Sequence, residues 1–408
     1  MSDIKYKKFA EINLQDPFFD NLRMDYPEFD TWYQKKAMAG ESAYVLYEEN
    51  KLVCFVYLKI EDSLDTNIIP PLYPTRWVKI GTFKIEARRT KLGQRLIKRA
   101  FDFAISHNIF DLYVTAYDKH AVLIDILKHY GFVEYGNKGG EKVLVKHIIS
   151  NNDLPTFSEV CEKLEQCPPM PQEFNNLQIS RRNTLKRYSQ DIKFQQCVEN
   201  CKHFFSFYET LKLSGNLSLN FPTLSARNNR KYILGIYPEY HTRMFSDSKL
   251  HTESTSILCD ISESNSIHKV YISAIADTQL LQKGDIVIIY RTKDDNAQSA
   301  NYSSVATSLC VVEEYRYISS FYCEDDFIKY CKPHNVFSIE ELQSFYKTKR
   351  YPYIIKMTYN IAFKRRVVLD KLRTIIPNVS YWGFVSLDDQ QFYQIIQEAG
   401  INDSIIVH

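Results

Sequence analysis

Residues Phe83 to Ile105 read FKIEARRTKLGQRLIKRAFDFAI, a strand that passes through a basic turn into a helix. Phe83 and Ile85 are β-formers one residue apart, and Arg88, Arg89, Thr90 and Lys91 make the turn. Gly93 then opens a run in which Leu92, Leu96, Ile97, Ala100, Phe101 and Ala104 recur at helical spacing. A glycine in the first turn of a helix lets a phosphate approach unpaired backbone N–H groups, and the helix dipole adds partial positive charge there. The stretch is a candidate phosphate cradle, although the bare pattern also describes an ordinary strand, turn and helix with a solvated basic face.

Upstream of this stretch, Tyr6 to Leu14 predicts a first strand. DPFFDNLRMDY and PEFDTWYQKKAMAG predict two short helices, the first capped by Asp16 with Pro17 behind it and the second ended by Gly40. SAYVLYEE and KLVCFVYLKIE read as strands joined in a hairpin at Glu49 and Asn50, and RWVKIGTFKI follows the proline-containing loop Asp62 to Thr75 as a third. Downstream, DLYVTAY is a strand, KHAVLIDILKHYG a helix ended by Gly131, and FVEYG with EKVLVKHI a closing hairpin.

This order of strands and helices resembles that of the GNAT acetyltransferases over residues 1–150. Their pyrophosphate loop carries Arg or Gln, two residues, Gly, one residue, then Gly or Ala. Arg88, Lys91 and Gly93 stand at those three places, with Lys91 where the family has its first glycine. His129, Tyr130, Gly131 and Phe132 resemble the family's Gly-Phe ending. The resemblance implies an acyltransferase that uses acetyl-coenzyme A. Its pyrophosphate would be held by N–H groups of Arg89, Thr90, Lys91, Leu92, Gly93 and Gln94, with Arg88 beside them. The pantetheine would pair along Thr82 to Ile85, and the oxyanion would lean on an N–H near Phe83 or Ile85. Many members carry a tyrosine as general acid four residues before the glycine; here that residue is Leu127, which has no proton to donate. Tyr117 and Tyr130 are the nearest hydroxyl candidates, and His120, close behind Asp118, joins Tyr117 in a cluster suited to acid or base chemistry. Glu61, Asp62 and Glu86 are further carboxylates with weaker claims.

At 408 residues the chain is long enough for two or three domains. Its 51 Lys and Arg against 49 Asp and Glu leave a net charge of +2, so no global field recruits nucleic acid or anionic membrane, and any basic site is local. The N-terminal MSDIKYKKFA lacks the apolar core of a signal peptide and no run suits a bilayer span, which predicts a cytoplasmic protein with no membrane partner. Nine cysteines in a chain this size point to reduced thiols. Cys197, Cys201 and His203 find no second pair at ligand spacing, so no metal is expected.

After residue 150 the periodicity changes, and four prolines within LPTFSEVCEKLEQCPPMPQEF mark a boundary. Residues 151–230 read as a helical connector, with a basic cluster of Arg181, Arg182, Lys186 and Arg187 diluted by acids such as Asp191. From Lys231 to the end the texture is β-rich, interrupted by the helix SIEELQSFY, and fits a compact barrel or curled sheet with helices. KGDIVIIY, YSSVATSLCVVEE and YWGFVSLDDQQFYQII resemble the PUA-like superfamily, which includes EVE, YTH and ASCH domains. That resemblance implies a barrel that binds RNA or a modified base, by stacking on aromatic faces beside polar groups. Tyr290, Arg291, Ser303, Ser304, Tyr381 and Trp382 are the residues nominated, with Tyr240 and His241 as an alternative wall.

The combined expectation is an α+β chain: a GNAT fold with a mixed central sheet and flanking helices, a helical connector, and a PUA-like β-barrel over 231–408. Its function would be acetyl transfer to RNA, aminoacyl-transfer RNA or a modified base. A homodimer is compatible with it. The alternatives are a non-catalytic nucleic-acid reader on a degenerate coenzyme A scaffold, favoured by Leu127 and Lys91, and an acetyltransferase toxin.

Overall fold

Glu49 and Asn50 both take positive φ, 49° and 65°, the left-handed pair whose twist suits a two-residue hairpin. They join β2 (Ser42–Glu48) to β3 (Lys51–Glu61). The computed structural model describes residues 4–63, 65–72, 76–86, 91–150, 192, 213–245, 267–293 and 304–407. The first strand is shorter than its sequence suggests: β1 covers Lys5–Lys8, and a 3-10 turn follows over Phe9–Glu11. Phe9 is buried, and the Tyr33 hydroxyl donates to the carbonyls of Phe9 and Ile12 at 3.0 and 3.1 Å. Tertiary bonds therefore claim backbone groups that a longer strand would have placed in the ladder.

The remaining elements of this half are α1 (Asp20–Asp25), α2 (Phe29–Met38), β4 (Trp77–Ile85), α3 (Leu92–Ser106), β5 (Asp111–Ala116), α4 (Ala121–His129), β6 (Val133–Lys138) and β7 (Glu141–His147). They build a seven-stranded sheet in the order β1-β2-β3-β4-β5-β7-β6, in which β4 and β5 are the parallel pair. Residues along β3 alternate between two cores. Cys54 and Val56 pack with Leu92, Leu96, Ile97, Ala100, Phe101 and Ala104 of α3, whereas Phe55 and Tyr57 pack with Phe9, Phe19 and Tyr33. Each fully buried leucine or phenylalanine contributes roughly 1.5–3 kcal/mol, so α3 is held by its apolar stripe.

Most of the connector expected over 151–230, with the basic cluster at 181–187 and Cys197, Cys201 and His203, lies outside the described residues; its described end carries a short helix, Leu217–Asn220, and a two-residue strand, Leu224–Ser225. From Leu213 onward the chain builds a second sheet of β9 (Lys231–Ile236), β10 (His268–Ser273), β11 (Ile286–Arg291), β12 (Val305–Tyr317), β13 (Tyr353–Val368) and β14 (Phe384–Leu387), numbered after a short β8 (Leu224–Ser225). Its order is β10-β13-β12-β11-β9-β14. The expected barrel is corrected to an open sheet. β12 and β13 shift register at three places, which curls the sheet without closing it. The β10 edge is covered instead of paired: Val270 and Ile272 pack against Phe327 and Cys331 of helix Glu324–Cys331 and Leu342 of helix Ile339–Thr348.

The halves share buried surface. Phe221, Ile267 and Ile405 enter the core beneath α3 and α4, with the Phe221 ring 5.7 Å from Phe101 and 5.9 Å from Tyr130. Lys98 of α3, buried and paired with Asp102 at 2.8 Å, places its ammonium 4.6 Å from the Tyr359 ring of β13. Gly131 takes φ +82°, and a Cβ there would lie 2.4 Å from the Leu219 carbonyl oxygen. Only glycine permits both that conformation and that approach.

Candidate active site

β4 and β5 begin as neighbours and then part. They pair from Trp77 with Asp111 to Ile80 with Val114, and no pairing follows, although β4 runs on to Ile85 and β5 to Ala116. On its other side β4 stays bound to β3, but the register shifts where Tyr57 meets Thr82 and Leu58 meets Ile80, leaving Gly81 over. A Cβ on Gly81 would lie 2.9 Å from the Tyr57 ring, so glycine lets the strand bend across that ring. The edge of Thr82 to Ile85 that faces β5 has no ladder partner among the described residues. Backbone donors and acceptors in such a gap need a partner, and an extended amide-containing ligand supplies one.

β4 leads from the gap toward α3. Lys91 is the N-cap of α3, and Gly93 lies in its first turn. A Cβ on Gly93 would stand 3.0 Å from Ile126 Cδ1 of α4 and 3.7 Å from Ile85 Cδ1, so this glycine also sets how closely α3 approaches α4. Phe83 and Ile85 are half-buried against the α3 core, Leu92 is buried in it, and the Gln94 side-chain oxygen is buried with no hydrogen-bond partner among the described residues. Arg88, Arg89 and Thr90 lie outside the described residues. Burial, with the nearby Lys356 ammonium, holds Lys91 below the ordinary lysine range.

Across the gap, β5 ends at Ala116 and Tyr117 follows it. Its ring lies 5.8 Å from Tyr26, at the end of α1, and the Tyr26 hydroxyl donates to Glu141 Oε1 at 2.7 Å. Burial and that carboxylate push the Tyr26 hydroxyl well above the phenol range. Asp25 accepts from Lys119 and lies 3.7 Å from His120 Nε2, while Asp118 pairs with Lys142 at 2.8 Å. Tyr117 and His120 are therefore brought together with two carboxylates, Asp25 and Glu141, that sequence reading missed. No motif marks them, because they reach the cluster from the ends of α1 and β7.

Tyr130 sits elsewhere. It is fully buried, its hydroxyl lies 3.0 Å from His268 Nε2 in the other half, and burial followed by the Glu313 charge pushes it far up. Leu127 is core. Burial would raise Glu61, yet hydrogen bonds from Tyr113 and Lys59 carry it below the usual carboxylate range. Asp62 pairs with Arg76 at 2.7 Å and Glu86 with Lys84 at 3.0 Å.

In the six-stranded half, the Tyr290 and Trp382 rings come within 5.8 Å of each other, but both are buried in its core. Arg291 and Ser304 are also buried, Ser303 lies outside the described residues, and of the five that are described Tyr381 alone is exposed, at 61%. The indole Nε1 of Trp382 is buried without a partner among the described residues. Nearby, fully buried His241 places Nε2 2.8 Å from Thr307 Oγ1. Burial, then Arg291 and Arg366, lowers its pKa to about 3, so it is neutral.

No family model and no curated protein sequence matches the chain. Solved structures similar to parts of it fall into two groups. The ASCH protein of Zymomonas mobilis aligns at 9% identity over 41% of this chain and 94% of that one, with a TM-score of 0.27. The Campylobacter jejuni N-acetyltransferase PseH, in complex with acetyl coenzyme A, aligns at 12% identity over 36% of this chain and 99% of that one, TM-score 0.26. The Thermoplasma acidophilum PaiA N-acetyltransferase, in complex with coenzyme A, aligns at 14% identity over 36% and 99%, TM-score 0.27.

Proposed function

We propose that the chain is an acetyl-coenzyme A dependent N-acetyltransferase acting on RNA or an RNA-linked amine, with its six-stranded half engaging the nucleic acid. The observation that carries the reading is the parting of β4 from β5 after Ile80 and Val114. That gap offers backbone partners to a pantetheine arm, and β4 leads on to the turn before α3, where N–H groups suit a pyrophosphate. An amine held at the Tyr117 end of β5 would attack the thioester directly. Asp25 or Glu141 would take the amine proton, an N–H near Phe83 or Ile85 would steady the oxyanion, and Tyr117 would protonate the departing thiolate. Leu127 leaves the hydroxyl to Tyr117, because Tyr130 faces the opposite half.

RNA enters the reading through the PUA-like resemblance and exposed Tyr381, whose ring is available for stacking. The test is transfer of label from [14C]acetyl-coenzyme A to total transfer RNA, charged and uncharged, by the full chain. Label in the RNA fraction supports the assignment. Tight uptake of coenzyme A with no transfer to any RNA would instead favour the reader, a reading that Leu127 supports.

A further inference from the structure

Beside the seam between the halves, the chain encloses a cavity of about 390 Å³, bounded by β12 and β13 on one side and by residues 213–229 on the other. The second wall is fastened to the seven-stranded half: Lys146 donates to the Leu219 carbonyl at 2.7 Å, and Thr223 Oγ1 to the Ile149 carbonyl at 2.6 Å. Gly215 and Lys283 are exposed at its rim, whereas Asn220, Thr223, Thr358 and Asn360 are buried at its base. Buried polar groups look for partners, and two of the amides here keep bonding capacity in reserve. Asn360 Nδ2 donates to the Pro222 carbonyl at 3.1 Å, and its Oδ1 accepts from Thr358 Oγ1 at 2.8 Å. A carboxamide has two N–H donors and two acceptor lone pairs, so one of each has no partner among the described residues. The two bonds fix the plane of the amide, and what remains is a donor and an acceptor side by side. Asn229 is held the same way nearer the rim, its Nδ2 donating to the Ser225 carbonyl at 2.8 Å. Gly284, at φ +94°, lies beside its Oδ1, and a Cβ there would stand 3.1 Å from that oxygen; glycine meets both demands. Leu217, Leu224 and Val311 add apolar surface, and among the described residues of the lining Lys283 alone carries a charge.

We propose that this cavity is a nucleobase site: Asn360 pairs with the edge of the base, the apolar residues pack on its faces, and Lys283 at the rim meets the phosphate. A fixed donor and acceptor in one plane is the pattern with which asparagine reads a base edge through two parallel bonds. The volume lies near the lower end of the roughly 300–1,000 Å³ of small-molecule pockets, which suits one nucleotide. The base belongs to a free nucleotide or to an RNA, and the recognition chemistry is the same for both. The inference does not rest on the coenzyme A reading, and neither Tyr381 nor the gap between β4 and β5 enters it. Pro222, which Asn360 holds, follows Phe221, and Phe221 is buried in the core beneath α3. A filled site therefore braces the seam.

The experiment is calorimetric titration of the full chain with AMP, CMP, GMP and UMP, with the matching nucleosides and with short single-stranded RNA homopolymers. At least one base should bind and should raise the melting temperature. Asn360→Leu should weaken that ligand about ten- to hundredfold. Because this change also takes a partner from Thr358, Gly215→Trp is the second variant. A Cβ at Gly215 meets nothing within 4 Å, so an indole there obstructs the rim without entering the core, and uptake should be lost with the urea midpoint unchanged. Lys283→Gln should cost the mononucleotide about two- to fivefold and the nucleoside nothing. A homopolymer taken up at least as tightly as its mononucleotide assigns the base to RNA, and weaker uptake assigns a free nucleotide; each supports the proposal. No uptake of any of these ligands, the behaviour of a cavity that holds only water, overturns it, as does binding that either Asn360→Leu or Gly215→Trp leaves unchanged.

Discussion

The two sheets treat their candidate sites in opposite ways. The seven-stranded sheet opens: β4 and β5 stop pairing after Ile80 and Val114, and a stretch of backbone faces a gap. The six-stranded sheet closes over its aromatic candidates, with Tyr290, Trp382, Arg291 and Ser304 all buried and Tyr381 outside. The first is a candidate site made of backbone groups with no ladder partner among the described residues, which suit an extended ligand in any arrangement of side chains. The second depends on which rings the core consumes. A stacking residue and a core residue have the same composition, and packing decides between them.

The largest test of this contrast is Trp382→Ala. A core role predicts a loss of about 3–5 kcal/mol in unfolding free energy by urea denaturation. Tyr381→Ala should leave stability within about 0.5 kcal/mol of the unaltered chain and should cost RNA affinity instead. If both variants are equally stable, Trp382 is not a core anchor and the base site moves back to it.

Next in size is the mouth of α3. Gly93→Glu places a carboxylate where anions are favoured and should weaken coenzyme A by at least about 100-fold in calorimetry, with the far-ultraviolet circular dichroism retained. Unchanged affinity would remove the phosphate cradle and with it the open side of the comparison.

Tyrosine chemistry comes third. Tyr117→Phe should lower kcat about 10²-fold with little change in KM for acetyl-coenzyme A. Tyr130→Phe should leave kcat nearly intact and cost about 1 kcal/mol in stability, since its hydroxyl serves the seam between the halves. A reversed ranking of the two kcat values would transfer the acid to Tyr130.

The smallest effect is a pH slope at the same seam. Lys146 is buried, donates to the Leu219 carbonyl at 2.7 Å, and burial lowers its pKa from 10.5 to about 7. Between pH 7 and 10.5 the unfolded chain carries a proton that the folded chain lacks, so this group makes stability rise with pH across that window. The slope is at most about 1.4 kcal/mol per pH unit. Lys146→Met should flatten urea-midpoint curves taken at pH 7, 8 and 9, and an unchanged slope would show that the amine is not desolvated.

The order of elements over residues 1–150 was legible because it depends on local periodicity and on turn chemistry such as Glu49–Asn50, Gly40 and Gly131. The strand expected over Tyr6 to Leu14 stops at Lys8 because Tyr33, distant in sequence, takes the Phe9 and Ile12 carbonyls. Asp25, Tyr26 and Glu141 were invisible as a cluster for the same reason: each is an ordinary residue until the ends of α1, β5 and β7 meet. The expected barrel failed at its edges, since helices packed on β10 at long range removed the need for closure.

The sequence by itself determined the phosphate-loop candidate at 88–93 and the strand and helix order around it, because these reside in local residue types and spacing, and it placed Leu127, which has no proton to donate, where the resemblance implies an acid. Tertiary structure alone decided that β4 and β5 part, that Tyr130 faces His268 instead of the gap, and that Trp382 is core. Those outcomes depend on burial and charge contacts between residues tens to hundreds of positions apart, which no local pattern records.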